Sequence, residues 1–195
     1  MYKSILLTIA LITTCGLAMS VDAQNQKISS GYGIVPPSAD VTITQQITAV
    51  EVTDGVLGWD EKGWDTMFGY GFSGQATGDV SGVFGLSMNC FPSYQKPGME
   101  TAITGGMWTL PIYAYPPKGF NQVYVGSIFG KIVGGNMNNW TEAGTGVYIE
   151  LEITGGTLAW DRVTGKGYFK GNLTDTKRGE QLNGELTLTY LPPTR

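Results

Sequence analysis

The chain has 195 residues, a net charge of −4, 29 glycines, two cysteines and no histidine. Without imidazole, Ser-His-Asp and Cys-His catalysis, His-ligated zinc and histidine proton shuttling are excluded. A weakly acidic chain with no basic run is a poor match to nucleic acid or to an anionic membrane surface.

Residues 1–23 read as a cleavable export signal. Lys3 supplies a positive start, Ile5 to Ile12 and Leu17 to Met19 an apolar core, and Val21-Asp22-Ala23 the small residues of a cleavage site. Cleavage after Ala23 predicts a mature chain from Gln24 and a secreted or periplasmic protein. The apolar run is shorter than the roughly 20 residues that a spanning helix needs, so no transmembrane segment is predicted. A second reading, a lipid anchor at Cys15, rests on Ile12-Thr13-Thr14-Cys15. It is the weaker of the two, because Thr14 stands where a lipobox has Gly, Ala or Ser. Cys15 departs with the signal, which leaves Cys90 with no partner for an internal disulfide. It is expected to be a small buried apolar residue.

Residues 24–40 are polar, carry Gly31, Gly33 and Pro36-Pro37, and read as a flexible lead-in. From there, 41–195 form one domain whose hydrophobic period is two almost throughout, the mark of half-buried strands. Val41 to Val52 places Val41, Ile43, Ile47 and Ala49 on one face; the parity then shifts, which predicts a bulge. Asp54-Gly55 is a turn signal before a short strand ending at Trp59. Phe68, Tyr70 and Phe72 alternate with small residues as one aromatic face, and Thr77-Gly78-Asp79 turns the chain into Val80 to Asn89. A loop from Phe91 to Gly98 leads to Met107 to Ala114, where Pro111 predicts an edge or a bulge. Val123 to Val133 is the next strand, followed by the longest expected loop, Gly134 to Gly146. Val147 to Ile153 alternates most cleanly, with Glu150 and Glu152 on the solvent side. Thr157 to Asp161, Gly167 to Leu173 and Gln181 to Leu191 bring the count to about nine strands, fitting a closed barrel or a two-sheet sandwich.

Glycine inside a strand leaves nothing to pack and costs conformational entropy. Gly69, Gly71, Gly82, Gly85, Gly126, Gly130, Gly167, Gly171 and Gly184 all fall within expected strands, often beside an aromatic. A small, strongly coiled antiparallel barrel of about eight strands explains this best, because its narrow interior needs bare backbone opposite large side chains. Ile153-Thr154-Gly155-Gly156-Thr157, followed by Thr164-Gly165-Lys166-Gly167-Tyr168-Phe169-Lys170-Gly171, is similar to a signature of the allene oxide cyclase and dirigent-like β-barrels. The turn Gly74-Gln75-Ala76-Thr77-Gly78 has a similar character, and the resemblance spans residues 66 to 190. It implies an eight-stranded barrel with a central cavity, often assembled into homo-oligomers. The family's cavity acids and other catalytic residues match no position here, and Leu158-Ala159-Trp160 departs from its pattern.

Gly69-Tyr70-Gly71-Phe72-Ser73-Gly74 spells a dinucleotide fingerprint, but it lies within a strand instead of leading into a helix, so it carries no cofactor. No metal motif and no catalytic residue is assigned. The best candidates for ligand contact are Trp59, Asp60, Trp64, Trp140, Trp160 and Asp161. Trp59-Asp60 is echoed by Trp160-Asp161, and tryptophans beside carboxylates suit a sugar-stacking rim; the competing reading is Trp packing with Asp capping a turn. The 134–146 segment has too few carboxylates for calcium and reads as a recognition loop. Asn139-Trp140-Thr141 and Asn172-Leu173-Thr174 match the N-glycosylation triplet. The expectation is a non-catalytic binding protein for a small apolar molecule or a glycan. The alternatives are a cyclase- or dirigent-type enzyme that guides a reactive intermediate, and a structural or interaction protein of the cell envelope.

Overall fold

A computed structural model of the chain describes residues 40–59, 65–91, 100–114, 121–141 and 144–191, with the side chains of 139–141 excepted. The export signal, its cleavage site and nearly all of the lead-in lie outside these residues. Nine strands follow one another: β1 Val41–Thr53, β2 Val56–Trp59, β3 Asp65–Gly78, β4 Ser81–Phe91, β5 Thr101–Ala114, β6 Val123–Thr141, β7 Gly144–Gly156, β8 Thr164–Thr176 and β9 Gly179–Leu191. From β3 to β9 each strand pairs antiparallel with the next, and β1 pairs with both β9 and β3. The result is a closed eight-stranded barrel, which decides between barrel and sandwich. The extra strand, β2, prolongs β1 along the same partner: Thr53 faces Gly71 and Val56 faces Phe68.

Asp54-Gly55 is therefore a corner within one edge and does not reverse the chain. Gly55 sits at φ +79°, and a Cβ there would lie 2.7 Å from the Phe68 carbonyl oxygen. Only glycine fits that corner.

A walk along paired residues from Thr42 through Thr189, Lys166, Glu152, Lys131, Met107, Ser87 and Gly71 arrives at Thr53, eleven residues further along β1. Such a stagger tilts the strands steeply and fixes the barrel's width. The interior is lined by the apolar parity of every long strand. Phe72, Phe84, Phe169, Met88, Leu110 and Ile149 are among its fully buried side chains. The Phe84 and Phe169 rings stack across it with centroids 6.2 Å apart. Phe169 also lies over bare backbone: a Cβ on Gly171 or Gly184 would sit 2.7 or 2.8 Å from its Cζ.

Several expectations are corrected. Segment 134–146 is mostly strand, because β6 continues to Thr141 and β7 begins at Gly144. Pairing on both sides, with Ile103 opposite Gly135 and Asn138 opposite Gly146, overrides the turn chemistry of the glycines and asparagines. Of the edge or bulge expected at Pro111, the edge is overturned, because the strand is flanked on both sides. A register shift against β6 does fall close by, between Ile112 and Tyr113. Pro111 itself stands at a gap in the β4–β5 ladder, between the Gly82–Ile112 and Gly85–Thr109 pairs. Phe68 does not share a face with Tyr70 and Phe72. A register shift between Met67 and Tyr70 turns it outward over Gly58, while Tyr70 and Phe72 meet edge to face inside. Thr157 to Asp161 is no strand but a 3-10 turn, Leu158–Trp160, tucked under one end of the barrel. Gly126 and Gly156 make room for it, since a Cβ on either would strike the Trp160 residue or the Thr157 carbonyl. The expected bulge in β1 is present between Glu51 and Thr53, with Val50 and Val52 exposed.

Replacing Phe169 by alanine is expected to cost about 3–5 kcal/mol of unfolding free energy. Urea denaturation reads this as a lower midpoint at unchanged slope. A loss below about 1 kcal/mol, the ordinary effect of an average substitution, would show that the ring does not hold the interior together.

Candidate functional site

β1, β4, β6 and β8 run from a lower rim to an upper rim, and the strands between them run back. The lower rim carries the 3-10 turn, and the upper rim carries β2 and the β8–β9 turn. This polarity places two of the candidate contact residues, Trp59 and Trp160, at opposite ends. Trp59, 73% exposed, stands at the upper rim, whereas Trp160, 6% exposed, is packed beneath the lower one. Asp161 is exposed beside Trp160 and lies 3.7 Å from the Arg162 guanidinium, a solvated contact worth little. Asp60 and Trp64 lie outside the described residues, as does the side chain of Trp140. The Trp-Asp echo thus joins opposite ends of the barrel, and the structure does not bring its two halves together.

A concavity among the described residues lies elsewhere, on the outer face of β6 to β9. A groove of about 390 Å³ is lined by Val133, Tyr148, Glu150, Leu151, Lys166, Gly167, Tyr168, Thr187 and Thr189. Its two tyrosines come from adjacent strands, both exposed, with rings 6.3 Å apart and 28° from parallel. Around them the outward rows alternate in charge. Lys131, Glu152 and Lys166 face one another in turn, as do Tyr148, Lys170 and Glu185. Opposite charges placed directly across strands favour this face without desolvating any member. A register shift between Ile132 and Gly134 leaves Val133 exposed at the groove's margin. Glu150 and Glu152 are on the solvent side, as expected from the alternation.

The upper rim holds a second cluster. Glu51 on β1, Asp54 at the corner, Asp175 on β8 and Glu180 on β9 interact with one another. The Glu180 backbone N–H donates to Glu51 Oε2 at 3.1 Å. Burial first, then the charges of Glu51 and Asp54, push the Glu180 carboxyl up to about 7. A side-chain hydrogen bond with Asp54 is the main cause that raises Glu51. Among the described residues no group of three or more Asp, Glu or Cys is placed to hold a metal ion.

At the lower rim the Tyr124 hydroxyl lies 2.7 Å from Ser127 Oγ and 2.8 Å from Thr157 Oγ1, and Thr157 Oγ1 accepts the Ser127 N–H at 2.9 Å. These bonds lower the Tyr124 pKa and clamp the entry to the 3-10 turn. No protein family, characterised protein or solved structure matches the chain.

Two outcomes follow from these environments. Glu180 holds its proton more tightly in the folded chain than at its ordinary 4.5, so the folded state binds the extra proton between pH 4.5 and about 7. Its contribution to stability is complete below that window and is lost as the pH rises through it. The melting temperature is expected to drop between pH 5 and pH 8, and Glu180→Gln to flatten much of that drop; an unchanged drop in the variant would remove Glu180 as its source. Cys90 is fully buried, and burial pushes its thiol up to about 12. An alkylating reagent is expected to modify it at pH 8 only after denaturant is added; rapid labelling of the native protein would contradict that burial.

Proposed function

We propose that the protein is an exported, non-catalytic binding barrel that takes a glycan in the outer groove of β6 to β9. The observation that carries this reading is the Tyr148–Tyr168 pair, two exposed and nearly parallel rings inside a groove lined with hydroxyl, carboxylate and ammonium groups. A sugar ring presents an apolar C–H face and a periphery of hydroxyls that both donate and accept. Tyrosine faces suit the first, and Glu150, Lys166, Thr187 and Thr189 supply acceptors and donors for the second. The volume lies within the range of small-ligand sites.

Of the two ligand classes suggested by the sequence, the glycan is favoured over an interior apolar molecule. Aromatic and aliphatic side chains with almost no accessible surface already occupy the barrel axis. The resemblance to cyclase- and dirigent-like barrels supports the scaffold; it brings no catalytic residue to this chain.

Glycan-array screening of the chain from Gln24 onward should give a defined set of binders. Tyr168→Ala and Tyr148→Ala should each weaken them by about tenfold, equivalent to 1.4 kcal/mol. Binding that survives both substitutions would move the site elsewhere. A small apolar molecule retained through native mass spectrometry would overturn the surface reading in favour of the interior.

A further inference from the structure

At the upper rim one strand outruns its neighbour. The β1–β9 ladder ends at Val50 and Gln181, and β9 itself starts at Gly179. Beyond the ladder, the Glu180 backbone N–H donates to the Glu51 carboxylate, a side chain of β1. Past that point the chain from Glu51 to Trp59 keeps β3 on one side, and among the described residues β2 pairs with β3 alone. The Gly55 N–H on this edge is taken by Thr53 Oγ1 at 3.1 Å; backbone groups left unpaired along an edge are a template for another strand.

Two features mark what this edge suits. Its side chains are apolar and displayed on both faces: Val56 is 71% exposed and Leu57 68%, with Val52 and Trp59 equally open. Its flank is acidic, with Glu51 and Asp54 on the edge itself and Asp175 and Glu180 on the neighbouring hairpin; the cations of those same segments are Lys177 and Arg178, in the turn. Among the described residues none of these four carboxylates forms an ion pair with Lys177 or Arg178. A second copy of the chain would bring a second set of them and be repelled. An incoming strand with alternating apolar and basic residues would instead match both features.

We propose that the open edge from Glu51 to Trp59 receives an extended basic segment of another protein, added as a further strand beside β2. Backbone hydrogen bonds along the edge supply affinity, Val56, Leu57 and Trp59 take the apolar side chains, and the four carboxylates take the lysines or arginines. This surface is separate from the tyrosine groove, so either can fail alone.

The test uses two synthetic octapeptides, one alternating lysine with valine and the other glutamate with valine, titrated into the isotopically labelled mature chain. The lysine peptide is expected to shift the amide signals of residues 51–59, to bind less tightly as salt is raised, and to lose about tenfold in affinity with Glu51→Gln/Glu180→Gln. Leu57→Lys, an exposed change that leaves the barrel interior untouched, should weaken it further and guards against a folding defect in the double variant. Equal binding of the two peptides, or shifts confined to other strands, would overturn the proposal. Concentration-dependent shifts of the same amides without peptide, abolished by Leu57→Lys, would overturn it in favour of a second copy.

Discussion

Closing eight steeply staggered strands leaves an interior too narrow for a large side chain at every inward position. The structure meets that limit by setting aromatic rings against backbone that carries none. Phe169 over Gly171 and Gly184, stacked on Phe84, is the central instance. The glycines give up entropy and packing area. The ring restores the apolar contact they lack and shields their peptide groups from water. Much else depends on this trade, because β8 and β9 must approach closely for β9 to reach β1. If Gly184 carried a Cβ, it would strike the Lys170 carbonyl at 2.4 Å and force the β8–β9 pair apart.

Filling the interior this way moves the available chemistry outward. The buried polar side chains are few, among them Gln45, Thr66, Thr101, Ser127 and Thr145, and Cys90 is held protonated by burial. The outer face of β6 to β9 is different. There, outward positions hold tyrosines, threonines and charges of both signs, brought into rows by the register of four consecutive strands. A rigid sheet that presents aromatic and ionisable groups in fixed rows can recognise a ligand without any loop taking part.

What was legible in the sequence is what local pattern determines. The period of two, the turn at Gly78-Asp79 and the glycines beside aromatics lead to a barrel, and Glu150 and Glu152 face outward as their alternation predicts. What was not legible depends on partners distant in sequence. The asparagine- and glycine-rich run 134–141 has the composition of a loop, yet it lies between β5 and β7 and is held as strand by both. The tyrosine groove was missed for the same reason. Alternation shows that Tyr148 and Tyr168 point outward; only the register, with Tyr148 opposite Lys170 and Tyr168 opposite Glu150, shows that they are diagonal neighbours. The Trp59 and Trp160 echo is likewise decided by chain direction: the first stands exposed at one rim and the second is packed at the other, because β1 and β7 run antiparallel.

The upper rim shows how one geometric mismatch creates both an opportunity and a guard. Because β9 begins late, the prolongation of β1 through β2 has an open side among the described residues, and open apolar edges invite self-pairing. Charged residues are the usual defence, and here they are carboxylates crowded closely enough to raise one another's proton affinity. At neutral pH their mutual repulsion opposes the meeting of two such edges more strongly than a single exposed charge would. Protonation would weaken that guard in the same window in which it stabilises the folded chain. Stability and resistance to self-association therefore respond to pH in opposite directions at this rim, and the acidic cluster belongs to the management of the edge as much as to the fold.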